Sequence, residues 1–332
     1  MKKILIIQTA FIGDVILATG LIEKLKQNFQ DAEIDMLVRK GNESLLLNNP
    51  LLRNRLIWDK KTGKIRNLFR ILGQIRRNKY DIVVNVHRFA SSGFLTGFSG
   101  AKERIGFIKN PLSWLFTKKI EHKIGQGHEI DRNQALIAHL MPDDPGPAGK
   151  PKLYPAITDH ERVMQWSKNK PYITLSPASV WFTKQFPPEK WVELIENLPS
   201  NHHLYLLGGP GDKDLVNTII EKVTLNKTAI KNLCGELSFL QSAALMSEAA
   251  MNYVNDSAPL HMASAMNAPV TAIFCSTVPE FGFTPLSDRS TIVEVEEKLA
   301  CRPCGLHGKR ECPEGHFKCA LDIKVEKLLE VI

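Results

Sequence analysis

No apolar run in the 332-residue sequence approaches the ~18 residues that span a bilayer, so an integral helical membrane protein is excluded. Six cysteines in so long a chain do not make a disulfide framework. Neither a dinucleotide fingerprint nor a P-loop follows the first strand, which removes the main support for nicotinamide and NTPase readings. Acidic residues are nearly missing between Arg53 and Lys79, where ten Lys and Arg face only Asp59. That one stretch carries more positive charge than the chain's net +8, which points to a local acidic partner. What remains is ordinary: 43% hydrophobic and 23% charged residues describe a globular chain, long enough for two domains. The basic Met1-Lys2-Lys3 followed by Ile4–Ile7 is expected to be a first buried strand of a cytoplasmic protein. As a signal peptide its apolar run is too short, Gln8 and Asp14 follow, and there is no Ala-x-Ala-like cleavage site.

Short β-rich runs alternate with amphipathic stretches. Strands are expected at Lys3–Gln8, Glu33–Val38, Arg55–Trp58 and Tyr80–Val86, with helices at Val15–Phe29 and Lys64–Asn78. The second helix puts Ile65, Leu68, Phe69, Leu72 and Ile75 on one face and Arg66, Arg70 and Arg77 on the other. Proline and glycine cluster over Pro142–Pro155, the expected linker, and the alternation then restarts at Tyr172. The spacing predicts an α/β chain of two doubly wound, Rossmann-like domains, 1–150 and 151–320, facing across a cleft, with a closing helix over 321–332.

Five segments carry candidate chemistry, each with a plainer reading beside it. Asp14 follows Gly13 at a strand-to-helix turn, where a carboxylate either caps the helix or serves as a general base. Gly208-Gly209-Pro210-Gly211-Asp212 is either an ordinary turn or a phosphate or ribose contact. In Asn255–Ala263, Asp256 or Ser257 suits a cap, Pro259 the first turn, and small residues would let a diphosphate approach the helix start, with His261 about one turn in. Lys184, in the loop after the Tyr172–Ser176 strand, is either solvated or neutralises a phosphate. Cys301, Cys304, Cys312 and Cys319, with His307 and His316 interleaved, form a candidate structural zinc site; a disulfide and packed thiols are the alternatives.

Taken in order, these segments resemble the ADP-heptose:lipopolysaccharide heptosyltransferases, inverting GT-B glycosyltransferases of family 9. The resemblance rests on Gly13-Asp14-Val15-Ile16-Leu17, Lys184-Gln185-Phe186-Pro187, Gly208–Gly211, Asn255–His261 and the Cys-rich tail. It implies Asp14 as catalytic base and Lys184 on the donor phosphates, with Ser179 beside it. It further implies donor binding by Gly209, Asp212, Leu237, Asp256, Ser257, Ala258 and His261, with Leu237 by the adenine and Asp212 at the ribose. Where the family usually has Gly in the Asp-Ser/Thr-Gly turn, this chain has Ala258. The implied partners are a nucleotide-sugar donor and an anionic glycolipid acceptor at the cytoplasmic face of the inner membrane, with Arg66, Arg70 and Arg77 toward that surface. No cofactor is required, and nucleic acid is not an expected partner because no binding module accompanies the charge. The rival readings are a GT-B enzyme with another donor, a sugar-nucleotide epimerase, and a non-catalytic sugar-binding protein.

Overall fold

The first strand explains why the chain builds parallel sheets. Every position of Lys3–Ile7 (β1) after Lys3 is buried, with no polar face, as a strand covered on both sides requires. The computed structural model describes residues 1–142, 146–168, 171–225 and 229–332. The chain divides into Met1–Tyr154 and Pro155–Ile332.

In the first unit β1 leads into α1 (Ile12–Asn28), β2 (Glu33–Arg39), β3 (Leu52–Trp58), α2 (Lys64–Asn78) and β4 (Ile82–Asn85). Then come α3 (Ala90–Gly97), β5 (Glu103–Phe107), β6 (Lys118–Ile120) and α4 (Glu129–Ile137). Its six strands pair in the order β3-β2-β1-β4-β5-β6, all parallel, with Ile4 opposite Ile34 on one side and Ile82 on the other.

The second unit runs α5 (Ile157–Ser167), β7 (Tyr172–Ser176), α6 (Pro188–Asn197), β8 (His203–Leu206), α7 (Lys213–Lys222) and β9 (Ile230–Asn232). It continues through α8 (Phe239–Ser247), β10 (Met251–Asn255), α9 (Ala258–Ala265), β11 (Val270–Phe274), β12 (Ser290–Glu294), α10 (Lys318–Leu321) and α11 (Glu326–Leu329). Its sheet, β12-β11-β10-β7-β8-β9, repeats the arrangement of the first. Each unit is therefore doubly wound, as expected from the alternation. In each, the strand order reverses beside the first strand, and the carboxyl ends flanking such a reversal are where ligands of open α/β sheets sit.

Three expectations change in detail. The segment expected as a linker is only partly one: 143–145 lie outside the described residues, and Gly149–Tyr154 runs along α1. The Gly20 and Gly149 backbones approach so closely that a Cβ on either would come within 2.2 Å of the other's carbonyl oxygen. Lys152 N–H donates to Thr19 Oγ1 at 2.9 Å, and Tyr154 Oη donates to Glu23 at 2.7 Å. The closing helix over 321–332 shrinks to the single turn α11, because Ile323 and Val325 both enter the core and that two-residue spacing is not helical. Finally, α2 has the expected bounds, but its apolar face is split. Ile71, Leu72 and Ile75 are buried, whereas Ile65 and Phe69 are exposed.

Candidate active site

In the second unit, the loop after β7 and the turn after β10 leave neighbouring strands at the reversal. Buried Asn255 ties them together: its Oδ1 accepts Phe186 N–H at 3.0 Å and its Nδ2 donates to the Pro177 carbonyl at 2.7 Å. This joins two of the expected residues. Lys184 Nζ lies 2.7 Å from Asp256 Oδ2, both side chains nearly buried, and the Thr277 hydroxyl donates to the same oxygen at 2.6 Å. Ser257 is the N-cap of α9 and Ala258 its first residue, so the Ala258 N–H has no carbonyl partner within the helix, and Pro259 has no N–H. An oriented ammonium beside a helix start is anion-binding chemistry.

The remaining candidates of this unit are spread along the same sheet edge. Asp212 accepts Gly209 N–H at 2.7 Å, which folds the Gly208–Asp212 segment into a turn ahead of α7. Ser179 takes part through its carbonyl, which accepts Gln185 Nε2 at 2.7 Å, and Leu237 is half-buried before the Ser238 cap of α8. His261 is buried in α9, with its ring 6.3 Å from that of Phe283.

In the first unit Asp14 is the third residue of α1, and its Oδ2 accepts Phe11 N–H at 3.2 Å. It therefore caps the helix, yet both that hydrogen bond and the helix start favour an ionised carboxyl, while its pKa is raised to about 6. Desolvation by burial is the larger cause and the negative charge of Glu129 adds to it, against Phe11 N–H and Arg88. Glu129 and Arg88 belong to a chain that only the fold assembles. Arg88 Nη1 donates to His122 Nδ1 at 3.0 Å, His122 Nε2 donates to Glu129 at 3.1 Å, and Arg132 Nε donates to Glu129 at 2.7 Å. Burial pushes the Glu129 carboxyl up, but its bonds with His122 and Arg132 outweigh that and hold it below the usual range.

A second group at this edge was not singled out from the sequence. Lys60 Nζ donates to Thr9 O at 3.0 Å and Thr9 Oγ1 at 2.9 Å, and lies 4.6 Å from the centre of the Trp58 ring. Burial, with Arg39 and Lys64 nearby, pushes its pKa down to about 8. Thr9 Oγ1 also meets His87 Nδ1 at 3.1 Å, and burial pushes His87 down to about 3. In the sequence Lys60 is one basic residue among ten, with nothing local to mark it. Arg66, Arg70 and Arg77 are all exposed on α2.

Replacing Glu129 by Gln removes one charge that holds Asp14 up, so the Asp14 titration, followed by carboxyl-carbon NMR, should move to lower pH. Arg88→Gln should move it to higher pH. The second arm matters because Gln at 129 breaks the buried charge pair between Glu129 and Arg132, a change that typically costs about 3–5 kcal/mol.

The sequence model of "Glycosyltransferase family 9 (heptosyltransferase)" matches residues 68–316. The chain belongs to glycosyltransferase family 9, the heptosyltransferases. Lipopolysaccharide heptosyltransferase 3 of Escherichia coli is 28% identical over 285 residues, 80% of this chain and 82% of that protein. The solved ADP-heptose LPS heptosyltransferase II of E. coli superposes with a TM-score of 0.82 at 22% identity, over 100% of this chain and 97% of that one. A family 9 glycosyl transferase from Veillonella parvula gives 0.86 at 19% identity, over 99% and 96%. The fold of this heptosyltransferase is accordingly GT-B.

In the Cys-rich tail of the heptosyltransferase, the candidate zinc site is not assembled and the packed-thiol alternative fits Cys319 better. Among the described residues no three His, Cys, Asp or Glu side chains converge as metal ligands. Cys301 Sγ lies 3.8 Å from His316 Nε2, but Cys304 Sγ turns to the Cys301 carbonyl at 3.5 Å. Cys319, at the start of α10, is packed into the core of the second unit, where burial pushes its thiol up to about 12. Arg302 holds the tail instead. Its guanidinium donates to the carbonyls of Phe274, Cys275 and Thr277 and to Glu294, at 2.6–3.2 Å. This fixes Gly308 and Lys309 against the lysine loop: Thr183 Oγ1 accepts Lys309 N–H at 2.7 Å, and Thr183 N–H donates to Lys309 O at 3.1 Å. The tail is thus a wall of the Lys184 site, which cysteine spacing did not suggest.

Proposed function

We propose that this heptosyltransferase moves a heptose from ADP-heptose to an anionic inner-core lipopolysaccharide acceptor, Kdo-lipid A or its heptosylated form, with inversion of configuration. The observation that carries the reading is the Lys184–Asp256 pair beside the start of α9. The names of the E. coli relatives support the donor and acceptor. In this reading the 151–320 region binds the nucleotide sugar through Ser179, Gly209, Asp212, Leu237, Asp256, Ser257, Ala258 and His261, and the 1–150 region binds the acceptor.

Asp14 takes the proton from the acceptor hydroxyl as its oxygen attacks the anomeric carbon. The bond from that carbon to the diphosphate breaks, and ADP departs with the bonding pair. Lys184 and the N–H groups at Ser257 and Ala258 meet the charge that develops, so the reading asks for no cofactor. A single displacement inverts the anomeric centre without a covalent enzyme intermediate. The enzyme works at the cytoplasmic face of the inner membrane, where Arg66, Arg70 and Arg77 steer it to the carboxylates and phosphates of the acceptor by an attraction that weakens with salt.

The test is incubation with ADP-heptose and Kdo₂-lipid A, or its monoheptosylated form, followed by mass spectrometry for one added heptose. One observation favours a runner-up. Ala258 stands where the family usually has Gly, and a turn shifted by the added methyl group would change which donor fits, so another nucleotide sugar is the second reading. UDP- and GDP-sugars run beside ADP-heptose separate the two, and transfer from one of those alone overturns the first. Epimerised free sugar nucleotide with no transfer overturns both.

A further inference from the structure

The split face of α2 is part of a larger apolar strip. Ile65 is 71% exposed and Phe69 58%, although both lie on the side of the helix that the sequence pattern assigns to the core. The Phe69 ring meets Phe94 of α3 edge-on at 5.7 Å, and Phe94 lies 4.9 Å from Phe98, which is 45% exposed. The turn Ser113–Leu115 packs on α3 and carries Trp114, 70% exposed. Phe69, Phe94 and Phe98 form a continuous run, with Ile65 one turn away on α2 and Trp114 on the turn that packs against α3; a soluble surface normally keeps such large side chains apart.

Its surroundings are basic. From Lys60 to Lys119 there are fourteen Lys and Arg, and the only acids are Asp81 and Glu103. α2 itself also carries Lys64, Arg66, Arg70, Arg76 and Arg77, and all five are exposed. A second copy of the chain laid on this face would oppose like charges. An anionic lipid surface complements both features, because the apolar groups enter the acyl boundary while Lys and Arg reach headgroup phosphates. Among the described residues no helix is long and apolar enough to cross a membrane, so attachment of this kind would be peripheral.

We propose that Ile65, Phe69, Phe98 and Trp114 form a wedge that inserts into an anionic bilayer, with the arginines of α2 as its electrostatic collar. This deepens the reading of the acceptor as a membrane-held anionic glycolipid and rests on it. The wedge adds an attachment that salt does not abolish, which arginines alone would not provide.

The test uses the full chain with vesicles of phosphatidylglycerol and phosphatidylethanolamine, and with phosphatidylcholine alone, in co-sedimentation at low and at high salt. Wild type should bind the anionic vesicles and keep a measurable fraction bound at high salt. Phe69→Ser/Trp114→Ser should weaken binding about tenfold or more, as loss of two inserted aromatic side chains requires. Lipids brominated in the acyl chain should quench wild-type fluorescence more than that of Trp114→Phe. No binding to anionic vesicles overturns the proposal, as does binding that the double variant leaves unchanged, or equal quenching in both proteins. Transfer to a delipidated, water-soluble acceptor keeps the two readings apart. The double variant should match wild type there, and failure of wild type on that acceptor counts against the transfer reading rather than the wedge.

Discussion

Asp14→Asn should lose about 10²–10⁴-fold in turnover, the usual contribution of a positioned general base, while its affinity for ADP survives. The same substitution should raise thermal stability above pH 6. The folded protein holds the Asp14 carboxyl at about 6, far above the ordinary carboxylate range, chiefly by desolvation. A group raised on folding favours the folded state at low pH, and that contribution is lost as pH rises through about 6. Beyond that the ionised carboxyl works against folding, by on the order of 2–3 kcal/mol. Asn keeps an oxygen that can accept Phe11 N–H, so the cap persists while the charge disappears. Melting temperatures followed from pH 4 to pH 8 should therefore diverge, with the variant's advantage growing as pH rises and levelling off above about 6. A residue serving only as a cap gives the opposite pattern: turnover near wild type and no gain at pH 8. Turnover near wild type removes Asp14 from the role of base, and a missing stability gain removes the raised pKa.

The sequence exposes those parts of the fold that are written locally. β1, β7 and β11 are largely apolar runs of five residues, and α2 has a clean helical period, so the alternation and the doubly wound sheets could be read directly. The edge strands β6 and β9, Lys-Lys-Ile and Ile-Lys-Asn, carry no such pattern because they are short and largely exposed, and no strand was expected there. The site follows the same division. Asp14, Lys184 and Asp256 stand at strand-to-helix or strand-to-loop transitions and were found as candidates. The groups that tune them were not. Glu129 lies 115 residues from Asp14 and Thr277 lies 21 from Asp256, and only the folded sheet edge brings them near. At the tail, spacing left ligands, a disulfide and packed thiols open, and it does not reveal that Cys319 faces a core. On α2 the helical period assigned Ile65 and Phe69 inward, but α3 covers only part of that face.

Lys184→Gln should reduce turnover by about 10²–10³-fold, the scale for removing one preorganised group from a developing oxyanion. It should also cost stability, because Asp256 is left nearly buried with only the Thr277 hydroxyl against its charge. The two effects separate in the double variant Lys184→Gln/Asp256→Asn. Removing the stranded carboxylate should restore much of the melting temperature, whereas transfer should stay low because the cation is still missing. On the proposed reading the ion pair need not exclude the donor. Asp256 shares its oxygen with Thr277 and orients the ammonium, and a diphosphate brings more negative charge to it than one carboxylate does. The tail supplies an independent arm. Gly308 has φ +76°, and a Cβ added there would lie 2.9 Å from both Lys184 Cγ and Thr183 Oγ1. Gly308→Ala should therefore displace the lysine and weaken ADP binding, measured by calorimetry, without touching any charge. If Lys184→Gln and Gly308→Ala both turn over like wild type, the pair is a structural tie between two loops, and the diphosphate is held elsewhere along the edge of β7–β10.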